Sequence, residues 1–162
     1  KDLCSSKYFI VLHNLIVHNL IMKAFTLDDQ LCFKFYAISR QLTMHYRPKL
    51  DEINLTYPQY LVMLVLWQQQ EITVKELGSQ LLLDSGTLTP LLKRLEEKKY
   101  LSRTRSKTDE RNVHIHLTSI GEALKAKAEK IPETLINCLL VDQHEYEDWK
   151  ERLDHLLTIL KS

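Results

Sequence analysis

Apolar residues recur every three or four positions along most of the chain, a spacing that is typical of amphipathic helices. The pattern over residues 27–46 predicts a first helix that ends before Pro48, since proline removes a backbone donor and crowds the preceding turn. Thr56, followed by Pro58, predicts the N-terminus of a second helix, whose run QYLVMLVLWQQ is apolar enough to be buried.

Two further helices and a hairpin follow in the middle of the chain. TVKELGSQL (73–81) predicts a short helix, and SGTLTPLLKRLEEKK (85–99) predicts another after the brief turn LLD. The pattern then changes to strict alternation in YLSRTR and NVHIHLT, with turn-rich SKTDER between them, which predicts a β-hairpin with a long basic tip. Helix, short turn, helix and basic hairpin, over residues 57–118, are the order of a winged helix-turn-helix. We therefore expect a mainly α fold with a small β-hairpin wing.

The remainder of the chain predicts a long C-terminal helix. Ser119 and Glu122 are spaced as a capping box at its start, and Pro132 predicts a bend or break within it. Its last apolar stripe consists of Trp149, Leu153, Leu156, Leu157 and Leu160. Because the stripes of the terminal helices, residues 27–46 and 121–160, exceed what one small winged-helix lobe can cover, we expect these helices to form a homodimer.

The first 21 residues stand apart from this pattern. Their run YFIVLHNLIVHNLI has 14 residues, interrupted by His and Asn, and is too short to span a bilayer. It also lacks the small-residue cleavage site of a secretory signal, while Met22 begins a segment typical of a protein start. We therefore expect residues 1–21 to be a non-native or upstream-translated extension, residues 22–162 to form one domain, and no membrane partner.

The cysteine content predicts intracellular thiols. Cys4, Cys32 and Cys138 are an odd number, and none of their spacings resembles a CxxC motif or a zinc site. His114 and His116 share one face of the predicted second wing strand, where such a pair can bind a metal, but solvent-facing strand residues are the better interpretation. We therefore expect a cytoplasmic protein that needs no cofactor and holds no metal.

The overall charge of +1 says little about partners, but the charges are unevenly distributed. Residues 93–111 hold eight basic and four acidic side chains, a local net charge of +4, which leaves −3 for the rest of the chain. Such a segment is either a solvated surface or a face that binds a polyanion. The winged helix-turn-helix pattern favours double-stranded DNA, since the second helix of that motif enters the major groove.

The N-terminus of that second helix supplies candidate DNA contacts. Its small and hydroxyl-bearing residues allow close approach and hydrogen bonds to phosphates or base edges. Arg111, at the hairpin tip, reaches toward the minor groove, and Asp109 either orients its guanidinium or is merely an exposed turn residue. The candidate DNA-binding residues are Ser85, Gly86, Thr87, Thr89, Lys93, Arg94, Arg103, Arg105, Lys107, Asp109 and Arg111.

Together these motifs resemble a known family. The segment LGSQLLLDSGTLTPLLKRLEEKKYLSRTRSKTDERNVHIHLT is similar to the winged-helix core of the MarR family of bacterial transcription regulators, and DER in the wing matches that family's D-x-R element. With LCFKFYAISRQ upstream, LDSGTLTPLLKRLE resembles more narrowly the organic-hydroperoxide repressor branch and its staphylococcal oxidation-sensing relatives. The resemblance covers roughly residues 27–160 and implies a homodimeric repressor that binds a pseudo-palindromic operator.

Cys32 is the candidate redox sensor. A free helical cysteine is usually an inert small hydrophobe, but Tyr36 follows one turn later on the same helix face. Tyr46 lies 14 residues from Cys32, about 21 Å along a helix, so it can approach only the Cys32 of a second chain, in an antiparallel crossing that Tyr57 can join. Phenol hydroxyls donate to a thiolate and stabilise it without adding charge. The resemblance implies the same arrangement, since the three tyrosines match those around the reactive cysteine of hydroperoxide repressors.

Cys138 decides the type of switch. It is either a buried residue of the C-terminal helix or, as the resemblance to two-cysteine family members implies, the partner's resolving cysteine, which captures oxidised Cys32 as an intersubunit disulfide. In one-cysteine members a small thiol caps the sensor, or the sensor overoxidises. Cys4 lies in the expected extension and receives no role.

The sequence therefore predicts a DNA-binding repressor, not an enzyme, that leaves its operator when organic hydroperoxide oxidises Cys32. Two alternatives stay open. One is a MarR-type regulator of virulence or biofilm genes, or one that responds to a small phenolic ligand, in which oxidation is secondary. The other is a thiol peroxidase, although the chain lacks the proline and threonine that peroxiredoxins place before their cysteine, and the basic wing would go unused.

Overall fold

The computed structural model describes residues 26–105, 113–133, 139 and 141–161. The chain divides into two compact units, Lys1–Leu42 and Thr43–Ser162. The helices are α1 (Leu31–Glu52), α2 (Tyr57–Gln69), α3 (Val74–Leu81), α4 (Ser85–Glu97), α5 (Ser119–Ala123), α6 (Lys125–Ala128) and α7 (Gln143–Lys161), with a 3-10 turn at Leu27–Asp29. The strands are β1 (Glu71–Thr73), β2 (Leu101–Arg105) and β3 (Val113–Leu117). Within the described residues, no helix is both long enough and apolar enough to cross a membrane.

The first helix is longer than its sequence pattern predicted, because α1 continues through Pro48 to Glu52. A proline inside a helix costs about 3 kcal/mol, since it removes one backbone hydrogen bond and crowds the preceding turn. Here the additional turn places Leu50 in the core, and Ile53 and Leu55 directly after the helix are buried as well. Burying each of these side chains contributes about 1.5–3 kcal/mol, which together exceeds the cost of the proline.

One hydrophobic core joins α2, α3, α4 and the strands. The run QYLVMLVLWQQ forms α2 and contributes several buried side chains, as its apolar composition predicted. The inward face predicted for α4 is confirmed at three of its four leucines, whereas Leu91 is only partly buried. The fully buried side chains shared by these elements are Val62, Met63, Leu66, Leu77, Leu88, Leu92, Leu95, Leu101 and Ile115.

The wing hairpin predicted from alternation is present, and a third strand joins it. β2 and β3 pair antiparallel with Leu101 opposite Leu117, and β1 pairs with the other edge of β3 with Ile72 opposite Ile115. The strand order is therefore β1-β3-β2. β1 has three residues, too few for alternation to be recognised in sequence, so the pattern predicted two strands where the structure has three. The predicted hairpin tip lies in 106–112, outside the described residues.

The helix after the wing begins one residue earlier than the capping box predicted. Thr118 is the N-cap of α5, and its hydroxyl accepts the backbone N–H of Gly121 at 3.1 Å. Ser119 is therefore the first helical residue and not the cap. The Glu122 carboxylate, predicted to complete the box, instead accepts from Gln70 Nε2 at 3.1 Å.

The break predicted near Pro132 is confirmed, and a second interruption precedes it. Residues 129–130 form a turn directly before 131–133, which are helical and contain Pro132. Earlier, α5 and α6 are separated at Leu124, whose N–H bonds to the carbonyl of Gly121, three residues back, and so tightens the turn. Helical structure is described again in α7.

Candidate functional site

The N-terminus of α4 is organised by Asp84, which precedes the helix. Its Oδ1 accepts the Thr87 backbone N–H at 2.9 Å, and its Oδ2 accepts from the Thr87 hydroxyl at 3.0 Å. These bonds, the backbone one foremost, hold the pKa of the Asp84 carboxyl below its usual value. Asp84 therefore remains ionised, which suits a residue at the positive end of a helix dipole.

Contacts within the protein limit what three of the predicted DNA-contacting residues at the N-terminus of α4 can offer to DNA. Because the Thr87 hydroxyl donates to Asp84 and the Thr89 hydroxyl donates to the Ser85 carbonyl at 2.7 Å, these two hydroxyls can offer DNA only acceptor lone pairs. A Cβ on Gly86 would lie 3.0 Å from Asp84 Oδ1, so the backbone there is closely approached by the capping side chain. The hydroxyl of Ser85 is exposed and makes no hydrogen bond to other described residues.

The basic residues of the segment fall into two groups. Lys93 and Arg94 are exposed on α4, and Arg105 is exposed at the end of β2, as a DNA-facing surface requires. The predicted tip residues Lys107, Asp109 and Arg111 lie outside the described residues. Arg103 differs from the exposed group because its side chain is engaged within the fold.

Arg103 ties the wing to α4 through Glu96. The Arg103 Nε and Nη2 atoms both donate to Glu96 Oε2, the former at 2.9 Å, and the Arg103 backbone N–H donates to Glu96 Oε1 at 3.1 Å. The Arg103 side-chain hydrogen bonds hold the pKa of Glu96 below its usual value. Sequence reasoning counted Arg103 among the DNA contacts and passed over Glu96, since acidic residues in a basic segment carry no signal for such pairing.

The two wing histidines face away from the core beside a carboxylate. Glu71 of β1 lies 2.8 Å from His114 Nδ1 and 3.4 Å from His116 Nδ1. The Thr104 hydroxyl lies 2.8 Å from His116 Nε2. The histidines thus join all three strands on the outer face of the sheet. Among the described residues, no group of three His, Cys, Asp or Glu side chains is arranged to hold a metal ion.

Cys32 is exposed on the first turn of α1, one helical turn before Tyr36. Arg40 Nη1 donates to the Tyr36 hydroxyl oxygen at 2.9 Å, and its guanidinium carbon lies 5.6 Å from the centre of the Tyr36 ring. A phenol that accepts a bond from a guanidinium keeps its own proton available for donation. Cys138 and Cys4 lie outside the described residues.

Tyr46 and Tyr57 meet within one chain, in an aromatic cluster at the junction of α1 and α2. Their ring centres are 5.2 Å apart, and Tyr60 lies 6.4 Å from each of them. Burial foremost, and then the neighbouring Tyr57, raises the pKa of Tyr46 to about 12. Burial raises the pKa of Tyr57 and of Tyr60 as well. These phenols stay protonated at neutral pH and can act as hydrogen-bond donors.

Tyr60 was not among the predicted site residues. Its side chain packs between the other two tyrosines and Trp67, whose ring centre is 6.2 Å away. Tyr60 follows Tyr57 by three residues, a spacing that places the two side chains on one face of α2. That spacing is the sequence signal from which Tyr60 could have been predicted to join the cluster.

Comparison with known proteins identifies the family. Residues 44–128 match the family described as transcriptional regulator SarA/Rot. The chain belongs to this family. It is 48% identical over 136 residues to the organic hydroperoxide resistance transcriptional regulator of Bacillus subtilis, covering 84% of this chain and 90% of that one. The predicted recognition, a MarR-like regulator of the hydroperoxide-repressor branch, is confirmed, and these proteins are regulators and not enzymes.

Solved structures of AbfR from Staphylococcus epidermidis share the fold. Reduced AbfR bound to DNA is 38% identical, with a TM-score of 0.70, covering 83% of this chain and 92% of that one. The disulfide form of AbfR is 36% identical, with a TM-score of 0.57, covering 86% and 98%. The winged-helix architecture predicted from the sequence is confirmed by this likeness.

Proposed function

We propose that the chain is a cytoplasmic, homodimeric repressor that binds a pseudo-palindromic DNA operator when Cys32 is reduced and releases it when organic hydroperoxide oxidises Cys32. The observation that carries the proposal is the exposed Cys32 thiol on α1, in a chain similar to a regulator solved both reduced on DNA and with a disulfide. The Bacillus relative is named for organic hydroperoxide resistance, which supports this class of oxidant.

The DNA-binding part of the proposal rests on α4 and the wing. α4 enters the major groove with the exposed residues of its N-terminal half, and the wing tip approaches the adjacent minor groove. Arg103, held by Glu96, acts by positioning the wing. The proposed direct contacts are Ser85, Gly86, Thr87, Thr89, Lys93, Arg94, Arg105, Lys107 and Arg111, with Asp109 orienting Arg111.

The dimer is supported by apolar surface that the single chain leaves uncovered. On α7, Trp149, Leu153 and Leu157 follow each other at four-residue spacing and are 41%, 48% and 43% exposed. On α1, Leu31 and Ile38 are exposed as well. An exposed apolar stripe such as that on α7 is typical of a permanent interface, and a second copy of the chain is the proposed occupant.

The proposed chemistry begins with attack of the Cys32 thiolate on an oxygen of the hydroperoxide. The O–O bond breaks, the alcohol leaves after gaining a proton, and a sulfenic acid forms on Cys32. The thiolate of Cys138 from the other chain then attacks the sulfenic sulfur and forms the S–S bond as the S–O bond breaks; the departing hydroxide takes a proton and leaves as water, and an intersubunit disulfide remains. Tyr36, and Tyr46 and Tyr57 of the other chain, donate to the reactive thiolate. The new bond moves the two lobes out of step with half-sites one helical turn apart.

A gel shift tests the proposal. The probe is a duplex selected from random-sequence DNA for binding to the reduced protein. Reduced protein should bind it, cumene hydroperoxide should release it, and dithiothreitol should restore binding. Cys32→Ser should bind but ignore hydroperoxide, while the control Cys4→Ser should respond normally. Release of Cys32→Ser by hydroperoxide would contradict the proposal and favour the ligand-responsive alternative.

A non-reducing gel separates the roles of the two cysteines. If Cys138 resolves the sulfenic acid, oxidised wild type runs as a covalent dimer and Cys138→Ser does not. A monomer with a small thiol on Cys32 would remove Cys138 from the proposal and leave Cys32 as the sensor. Sustained consumption of hydroperoxide with a reductant, measured on the same sample, would instead indicate a thiol peroxidase.

A further inference from the structure

The C-terminal end of α4 is attached to the start of α2 by one lysine. Lys98, which directly follows α4, donates from Nζ to the Asn54 carbonyl at 2.7 Å and to Gln59 Oε1 at 3.2 Å. Asn54 lies in the turn between α1 and α2, and Gln59 lies in the first turn of α2. Burial, and then the charge of Arg94, lowers the pKa of Lys98.

Gln59 makes this attachment firm because its side chain is buried and its oxygen has two donors. It is 2% exposed, the one buried polar side chain among the described residues. The same Oε1 accepts the backbone N–H of Thr56 at 3.1 Å, which fixes the first turn of α2. A buried amide oxygen that loses its donors costs about 1–3 kcal/mol, so Lys98 and Gln59 move together.

The residues next to each end of this attachment take part in the proposed mechanism. Thr56 directly precedes Tyr57, whose ring packs against Tyr46 at 5.2 Å. At the other end, Glu96 lies two residues before Lys98 and holds the wing through Arg103. Hydrogen bonds and short stretches of backbone therefore link the tyrosine pair, through Gln59 and Lys98, to both DNA-contacting elements.

We propose that Lys98 is the positioning residue that transmits the displacement of the Tyr46–Tyr57 pair to α4 and the wing. This inference rests on the proposed function, in which oxidation of a partner's Cys32 disturbs those tyrosines. Movement of Tyr57 shifts the first turn of α2, which holds Gln59, and the preceding turn, which holds Asn54, and so displaces the two oxygens that bind the Lys98 ammonium. Because Lys98 is the residue directly after the last turn of α4, the helix follows, and Glu96 carries Arg103 and the wing with it.

The test is the ratio of DNA dissociation constants for cumene-hydroperoxide-treated and reduced protein, measured on the selected duplex. Lys98→Met keeps an aliphatic side chain but removes the donor. Lys99→Met removes the same charge one residue away, from an exposed side chain that makes no contact with Asn54 or Gln59. Both variants therefore lose one positive charge, so an effect of net charge alone should appear in both.

Wild type and Lys99→Met should show the same ratio, within the 5- to 150-fold range typical of coupled sites. Lys98→Met should lower it by about 2- to 30-fold at similar reduced-state affinity, and Lys98→Arg, which retains donors, should restore it. If Lys98→Met unfolds below the assay temperature, Lys98→Gln replaces it, because the glutamine amide is too short to reach both acceptors. Lys98→Gln should then lower the ratio by the same factor of about 2- to 30-fold. Equal ratios in the Lys98 and Lys99 variants would overturn the inference. A wild-type ratio of one would instead refute the proposed function.

Discussion

Gly121 is the position at which the fold should tolerate least change. It lies in the first turn of α5, where a Cβ would overlap the carbonyl oxygen of Tyr100 and lie 2.8 Å from Leu117 Cδ1. The Tyr100 carbonyl cannot easily withdraw, since it already accepts the backbone N–H of Thr118 at 3.2 Å. Gly121→Ala must therefore push α5 away from the start of the wing.

The cost of that movement follows from the contacts that it breaks. Overpacking of this kind costs about 1–3 kcal/mol. The Gly121 carbonyl also accepts the buried indole N–H of Trp67 at 2.9 Å, and leaving that donor unpaired costs about 1–3 kcal/mol more. Alanine is the better helix former by about 1 kcal/mol. The expected net loss of unfolding free energy is therefore about 1–5 kcal/mol.

Urea denaturation, followed by tryptophan fluorescence and circular dichroism at one protein concentration, measures this loss. Gly86→Ala is the matched control, because the Cβ there meets one exposed side-chain atom, Asp84 Oδ1 at 3.0 Å, and no backbone, so a shift of a few tenths of an ångström accommodates it. That variant should be neutral or more stable by up to about 1 kcal/mol. If Gly121→Ala were as stable as Gly86→Ala, the close approach of α5 to Tyr100 would not exist in solution.

Two further predictions concern the tyrosine cluster and the wing. The pKa of Tyr46 is raised from 10.0 to about 12, so the folded state holds the phenol proton more tightly than the unfolded chain does. The unfolding free energy is therefore unaffected by this group below pH 10 and declines as the pH rises from 10 toward 12. Alkaline unfolding should accordingly be shallower in Tyr46→Phe, and an unchanged slope would contradict burial of the phenol. Arg103→Ala should cost about 0.5–1 kcal/mol in urea at neutral pH, with no loss in the exposed control Arg105→Ala. Because the pKa of Glu96 is lowered in the fold, that difference should shrink as acid protonates Glu96; a difference independent of pH would remove the ion pair from the explanation.

The winged helix-turn-helix could be predicted from sequence because its signals are local. The apolar spacing of α4, the brief turn before it and the alternation of the wing strands all lie within a few residues of the structure that they specify. The same holds for Cys32 and Tyr36, which share a helix face through their four-residue spacing. Local signals of this kind require no knowledge of the tertiary fold.

The features that sequence missed depend on residues far apart in the chain. Pro48 predicted the end of α1, but the burial of Leu50 against the core outweighs its local effect. β1 is recognisable only through its pairing with β3, more than thirty-five residues later. The contact of Lys98 with Gln59 joins residues 39 positions apart, and the local sequence around neither residue predicts it.

The basic segment 93–111 illustrates how a count of charges differs from a binding surface. Lys98 donates to two oxygens of the α1–α2 junction, and Arg103 is held by Glu96, so both are committed within the fold. The basic residues of the segment that the structure leaves exposed are Lys93, Arg94, Lys99 and Arg105. Each phosphate contact changes the logarithmic salt dependence of binding by about 0.9, so the proposed contacts Lys93, Arg94 and Arg105, together with the wing tip, are the residues expected to contribute to that dependence. The two committed residues act differently: they determine where α4 and the wing stand, and hence whether the exposed charges of two lobes can reach their half-sites together.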